Sequence, residues 1–210
     1  MSLEQLTACV VEAEMDNVEE LIKKELDAGT DPAIVLKDGL IKGMDIIGKK
    51  YEAGDLFLPE MLAAAMTMKA GVEYLKPHLV GDSAESAGKV VIGTVEGDIH
   101  DIGKNLVAMM LEGAGFQVVD LGIDVPTEDI VKAVKEHKPQ ILGLSALLTN
   151  TMPAIKTTID ALKEAGLRDQ VRIMIGGAPV TQEFADQVGS DGYASDAAGA
   201  VAVAREFMSA

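Results

Sequence analysis

From Lys89 onward the chain alternates short β-rich runs with helical patterns, and this alternation restricts the fold more than any other feature of the sequence. The runs are Lys89–Val95, Phe116–Leu121, Gln140–Ala146 and Val171–Ile175, and helical spacing follows in stretches such as Thr127–His137 and Pro153–Ala165. Strand, helix and strand in series close as right-handed crossovers, which predicts a parallel sheet covered by helices. A weak fifth run, Gly192–Ala194, precedes a last helix expected over Asp196–Met208. Five such units over residues 89–210 suit a flavodoxin-like, doubly wound, Rossmann-like α/β domain. Its ligands belong beyond the carboxyl ends of the strands, so the first, third, fourth and fifth loops are the places to look.

Before about residue 80 the rhythm is different. Val18, Leu21, Ile22 and Leu26, then Val35, Leu36, Leu40, Ile41 and Met44, recur at helical spacing. Asp16 is the expected cap of a helix ending near Gly29, and Asp31 with Pro32 opens another that ends near Gly54. A further helix is expected from Pro59 to Leu75, stopped by Pro77, and with the stretch before Asp16 this makes a four-helix-bundle cap within residues 1–88. Gly81 to Gly88 is small and polar, the composition of a linker and a candidate hinge.

The 34 acidic against 18 basic residues leave a net charge of −16, which repels phosphate backbones and anionic membrane surfaces. Neither nucleic acid nor a membrane is an expected partner. The one cysteine, Cys9, cannot form an internal disulfide, and the first residues carry no signal-peptide pattern, so the compartment reads as cytoplasmic. No apolar run approaches the ~20 residues that span a bilayer.

The first strand-to-helix loop runs from Glu96 to Asn105. It is no P-loop, because five residues separate Gly97 from Gly103, Asn105 replaces the hydroxyl residue, and Asp98 and Asp101 repel phosphate. The dinucleotide fingerprint is also absent. What the loop does offer is His100, one of three histidines, with Asp98 two residues before it. A carboxylate can hold one imidazole N–H while the other nitrogen binds a metal. A loop histidine that merely caps a helix or bonds the backbone is the alternative.

At this point the sequence resembles a family, the cobalamin-binding corrinoid proteins that carry methyl groups, related to the cobalamin module of methionine synthase. The family's Asp-x-His-x-x-Gly is matched by Asp98, His100 and Gly103, its Ser-x-Leu by Ser145 and Leu147, and its Gly-Gly by Gly176 and Gly177. The first half resembles the family's helical cap, including Phe57, Leu58, Pro59, Glu60 and Met61. The resemblance implies cobalamin or a related corrinoid, as methylcobalamin and cob(I)alamin, with His100 as the lower axial cobalt ligand. It implies that Asp98 accepts the imidazole N–H and that Thr151 extends this relay. Gly97, Ile99, Asp101 and Gly103 would contact the cofactor from the same loop. The displaced nucleotide tail would enter a slot walled by the small residues Gly143, Ser145, Gly176, Gly177 and Ala178, with Thr149 beside it and Ala194 and Ser195 closing the pocket. Ser145 and Thr149 could equally cap the next helix, and the paired glycines could be turn formers.

Gly39, Gly43 and Gly48 interrupt a helix at about 1 kcal/mol each relative to alanine, so something should approach there. A neighbouring helix is one explanation, the corrin ring at Gly43 the other. Phe57, Leu58 and Met61 form an apolar lid by resemblance, although ordinary bundle core would look the same. His78 and His137 sit at helix ends and are not assigned to the metal. The implied role is a methyl carrier, not catalytic alone, between a substrate-specific methyltransferase and a second methyltransferase acting on coenzyme M or tetrahydrofolate, with a reductive activation protein in attendance. Methylamines, methanol, betaines and methoxyarenes are all open as donors, in methanogenesis or acetogenesis. Rivals are a cobalamin-dependent sensor, disfavoured by the net charge, a capless mutase subunit, and an Asp/His zinc or iron site for hydrolysis, which needs further ligands.

Overall fold

Val18 and Ile22 lie four residues apart on one face of α2 (Met15–Asp27) and are both fully buried, and this stripe sets the packing of the N-terminal helices. The protein is described by a computed structural model over residues 3–78 and 86–209, without the side chains of Glu52, Leu58 and Lys76. The proposed linker therefore lies mostly outside the described residues. Two units divide the chain, Met1–Ser86 with Glu112–Gly115, and Ala87–Leu111 with Phe116–Ala210.

The first unit holds α1 (Leu3–Val11), α2, a helical run over 32–52, and α5 (Leu58–Leu75). The run over 32–52 is made of α3 (Pro32–Ile34), a π-helical stretch Val35–Ile41, and α4 (Lys42–Glu52). Asp31 caps it as expected, accepting a bond from Ala33 N at 2.8 Å with Pro32 in the first turn. Asp16 does not cap α2. Ala13, at φ 55°, turns the chain so tightly that α2 already begins at Met15, and its N-cap position is Glu14, whose side chain accepts from Asn17 Nδ2 at 2.9 Å and caps no backbone N–H.

Gly43 is explained by a neighbouring helix and not by a corrin ring, because a Cβ there would lie 2.7 Å from Val10 Cβ on α1 and 3.1 Å from Thr7 O. Gly39 meets Leu6 in the same way, at 2.6 Å. Nothing in the structure explains Gly48.

Cys9 on α1 is buried, and its thiol bonds Glu14 O at 3.2 Å. Burial, followed by the charges of Glu14 and Glu12, pushes this thiol up to about 11. At pH 8 its alkylation by iodoacetamide is expected to be on the order of 100-fold slower in the native protein than in urea; equal rates would show that the thiol is accessible. Among the described residues no helix is long and apolar enough to cross a membrane.

The second unit is a five-stranded parallel sheet of order β2-β1-β3-β4-β5, the flavodoxin-like order. Its strands are β1 (Lys89–Thr94), β2 (Gln117–Asp120), β3 (Ile141–Ser145), β4 (Arg172–Gly176) and β5 (Gly192–Ala194), each within a residue or two of expectation. The helices are α6 (Ile102–Gly113), α7 (Thr127–His137), α8 (Met152–Glu164), α9 (Gln182–Val188) and α10 (Ala197–Ser209). Val91, Leu142, Leu144, Ile173 and Ile175 pack with Ile130, Val134, Ile155, Ile159 and Leu162 of α7 and α8. β1 is buried along nearly its whole length, as a central parallel strand covered on both faces should be. The register aligns the strand ends in one row, Thr94 with Ser145, Ser145 with Gly176, and Gly176 with Ala194. Four loops thus leave the sheet along a single edge.

Candidate functional site

Asp98 is the hub of that edge. It has no exposed surface, and five donors converge on its two oxygens. His100 Nδ1 lies 2.7 Å and His100 N 3.1 Å from Oδ1; Leu147 N at 2.7 Å, Leu148 N at 3.2 Å and the Thr151 hydroxyl at 2.7 Å bond Oδ2. The hub thus ties the loop after β1 to the loop after β3 across the switch point between them. Burial by itself would raise the Asp98 carboxyl, but bonds from Thr151, the His100 ring and amide, and the Leu147 amide outweigh it and hold the group well below the usual carboxylate range.

His100 is neither a helix cap nor a backbone-bonded ring. Its Nδ1 faces the carboxylate, which places the proton on Nδ1 and leaves the Nε2 lone pair free, and its side chain is 44% exposed. Around it, Ile99 and Ile102 are 69% and 84% exposed, and Leu147 and Leu148 are exposed on the facing loop. A Cβ on Gly103 would meet nothing within 4 Å, so the start of α6 is open. Large apolar side chains left exposed beside one free imidazole nitrogen suit a broad, partly apolar ligand that brings its own metal. Among the described residues no three His, Cys, Asp or Glu side chains group to hold a metal ion. Among those residues the hydrolytic zinc or iron reading finds no ligand set.

The remaining sequence-derived residues separate into two sets. Ser145, Thr149, Gly176, Ala194 and Ser195 lie at the same edge, with Thr149 and Ser195 exposed. Neither Ser145 nor Thr149 caps α8, whose N-cap position is Thr151. Gly97, at φ 83°, and the half-buried Asp101 flank the histidine. The glycines of the expected slot meet the chain's own atoms: Gly143 faces the Ile92 side chain at 3.1 Å, and Gly176 faces Ala194 O at 3.0 Å. Gly177 has φ 124°, and a Cβ there would fall 1.9 Å from Ala146 O, so it is the turn former that the sequence left as an alternative. Gly43, Phe57, Leu58 and Met61 belong to the helical unit. Phe57 is 77% exposed, but Met61 has no exposed surface and offers no face to a ligand; the Leu58 side chain lies outside the described atoms.

Three further side chains brace this edge. Thr94, at the end of β1, is fully buried and donates to His100 O at 2.9 Å. Its signal is a hydroxyl inside an apolar strand. Asp124, in the left-handed region at φ 49°, accepts from Gly97 N at 2.7 Å and donates from its own N to Asp98 O at 2.8 Å, a pairing that local sequence does not reveal. Lys104 is buried, and its ammonium bonds Asp120 at 2.5 Å and Asn105 at 2.7 Å, fixing the first turn of α6 to the end of β2.

Residues 88–202 match the family model described as the B12 binding domain, and residues 2–76 match a second model of the same description. The chain belongs to the B12-binding domain family. This B12-binding chain is 48% identical over 213 residues to trimethylamine corrinoid protein 1 of Methanosarcina acetivorans, covering 99% of both. It is 46% identical over 207 residues to dimethylamine corrinoid protein 1 of the same organism, covering 98% of this chain and 97% of the relative. Among solved structures it is similar to a chain of the methanol:cobalamin methyltransferase complex MtaBC from Methanosarcina barkeri, with a TM-score of 0.88 and 38% identity, covering 97% of this chain and 78% of that one. The free imidazole, the exposed apolar side chains and the open Gly103 fit the corrinoid of a B12-binding chain.

Proposed function

We propose that this chain is a corrinoid methyl carrier, which receives a methyl group from one partner enzyme and presents it to another. The observation that carries the reading is the imidazole tethered through Nδ1 to a buried carboxylate, with Nε2 open, at the strand ends of a B12-binding unit. When bound, the corrinoid supplies a cobalt centre that takes up and releases the methyl group. The protein's own residues do the rest. His100 would hold the cobalt through Nε2. Asp98 keeps the proton on Nδ1, and Thr151 with the Leu147 and Leu148 amides holds the carboxylate still, so the ring is aimed before the ligand arrives.

Gly97, Ile99, Asp101 and Gly103 would hold the corrinoid from the first loop, and Ser145, Leu147 and Thr149 from the third. Gly176, Gly177, Ala194 and Ser195 would complete the edge. Residues 1–88 act as the cap and residues 89–210 as the carrier domain. A separate enzyme selects the donor, since two relatives of nearly equal similarity are named for different amines. The partners are a substrate-specific methyltransferase, a second methyltransferase acting on coenzyme M or tetrahydrofolate, and a reductive activator, all in the cytoplasm.

The test is the visible spectrum of protein reconstituted with hydroxocobalamin. Wild type is expected to show axial imidazole and His100→Ala to lose it, with cofactor retention on gel filtration weakened roughly 10- to 100-fold. Identical spectra for the two proteins would sink the assignment.

A further inference from the structure

The ring of His100 is aimed by Asp98, but Asp98 bonds only the N and Nδ1 side of the residue. Rotation about the histidine's own backbone would still swing the imidazole across the sheet edge unless the carbonyl were also held. The carbonyl is held by Thr94, whose hydroxyl donates to it at 2.9 Å. Thr94 is a rigid anchor. It is fully buried, its N donates to Gly122 O at 3.0 Å, its carbonyl accepts from Val125 N at 3.1 Å, and it pairs in register with Ser145 on the central strands. His100 is thereby fixed at N, at Nδ1 and at O, and Nε2 is its one polar atom left free.

We infer that Thr94 is a positioning residue for the axial histidine, setting where Nε2 sits above the sheet edge. The inference rests on the axial role proposed for His100. A hydroxyl that merely satisfied a buried acceptor would contribute to stability and leave ligation in the folded protein untouched. One that sets the ring's position changes coordination, and outer partners of metal-binding histidines typically contribute 10- to 100-fold in affinity.

The experiment reconstitutes apo wild type, Thr94→Val, Thr94→Ser and His100→Ala with hydroxocobalamin, recording both the dissociation constant and the axial signature in the absorption spectrum. Thr94→Val, which keeps the shape and removes the hydroxyl, is expected to bind roughly tenfold more weakly with a diminished imidazole signature. Thr94→Ser, which keeps the hydroxyl, restores both to within about twofold. If Thr94→Val keeps wild-type affinity and spectrum while His100→Ala changes them, the positioning role is overturned and the axial role stands. If His100→Ala itself leaves the spectrum unchanged, the axial role falls, and the inference with it. A Thr94→Ser protein as defective as Thr94→Val also overturns it, since the hydroxyl would then not be the cause. Should Thr94→Val fail to fold, Thr94→Ala compared with Thr94→Ser decides between the same outcomes.

Discussion

Replacing Asp98 by alanine is expected to destabilise the apo protein by about 3 kcal/mol at pH 7, because it leaves the buried Thr151 hydroxyl only the Leu148 carbonyl as an acceptor and removes the shared acceptor of four further donors. Urea denaturation checks the value; a loss below about 1 kcal/mol would mean that water replaces the carboxylate. The loss should depend on pH with a definite sign. The Asp98 carboxyl is held below its ordinary value in the folded state, so its stabilisation is present above the unfolded pKa of about 3.9 and fades as pH falls through the lower folded value. The gap between wild type and Asp98→Asn should therefore be widest near neutrality and narrow in acid. With the hub gone, His100 also loses its tautomer, and retention of corrinoid should drop by at least the roughly 10- to 100-fold typical of such partners.

Gly177→Ala should be the most damaging single-methyl change in the α/β unit. The new Cβ would sit 1.9 Å from Ala146 O at a backbone φ of 124°, and neither atom is the end of a flexible side chain. The loops after β3 and β4 must part to admit it, at an expected cost of more than about 4 kcal/mol, the range reserved for broken backbone geometry. A soluble protein with a wild-type unfolding midpoint would show that the loop has another arrangement. Gly103→Ala is the matched control. Nothing lies within 4 Å of its Cβ, and it stands in the first turn of α6, so apo stability should hold or rise by up to about 1 kcal/mol. Weaker corrinoid binding at unchanged stability would then isolate the ligand as the reason for that glycine.

Much of this molecule is local in origin, and that part is readable from residue order. The strands are apolar runs bounded by turn residues, and parallel pairing brings their ends to one edge, so Asp98, His100, Ser145 and Gly176 were expected together and lie together. Helix periods also place the N-terminal elements, but local sequence puts the cap of α2 at Asp16, because the tight turn at Ala13 leaves no local mark. Contacts between distant segments were not readable. The closeness of Gly43 to Val10, of Gly177 to Ala146 and of Thr94 to His100 depends on how completed elements dock. Met61 shows the same limit, since an apolar residue on a helix reads alike as lid or core until burial decides.

The order of residues thus determined the sheet, the edge that carries the candidate site, and the presence there of one imidazole with a carboxylate. Only the tertiary structure decided which nitrogen of that imidazole is free, which donors hold its carboxylate, and which glycines answer to the chain's own backbone. The physical reason is range. Periodicity and turn preference act over a few residues, whereas orientation and close approach are set by atoms that meet only after the strands have paired.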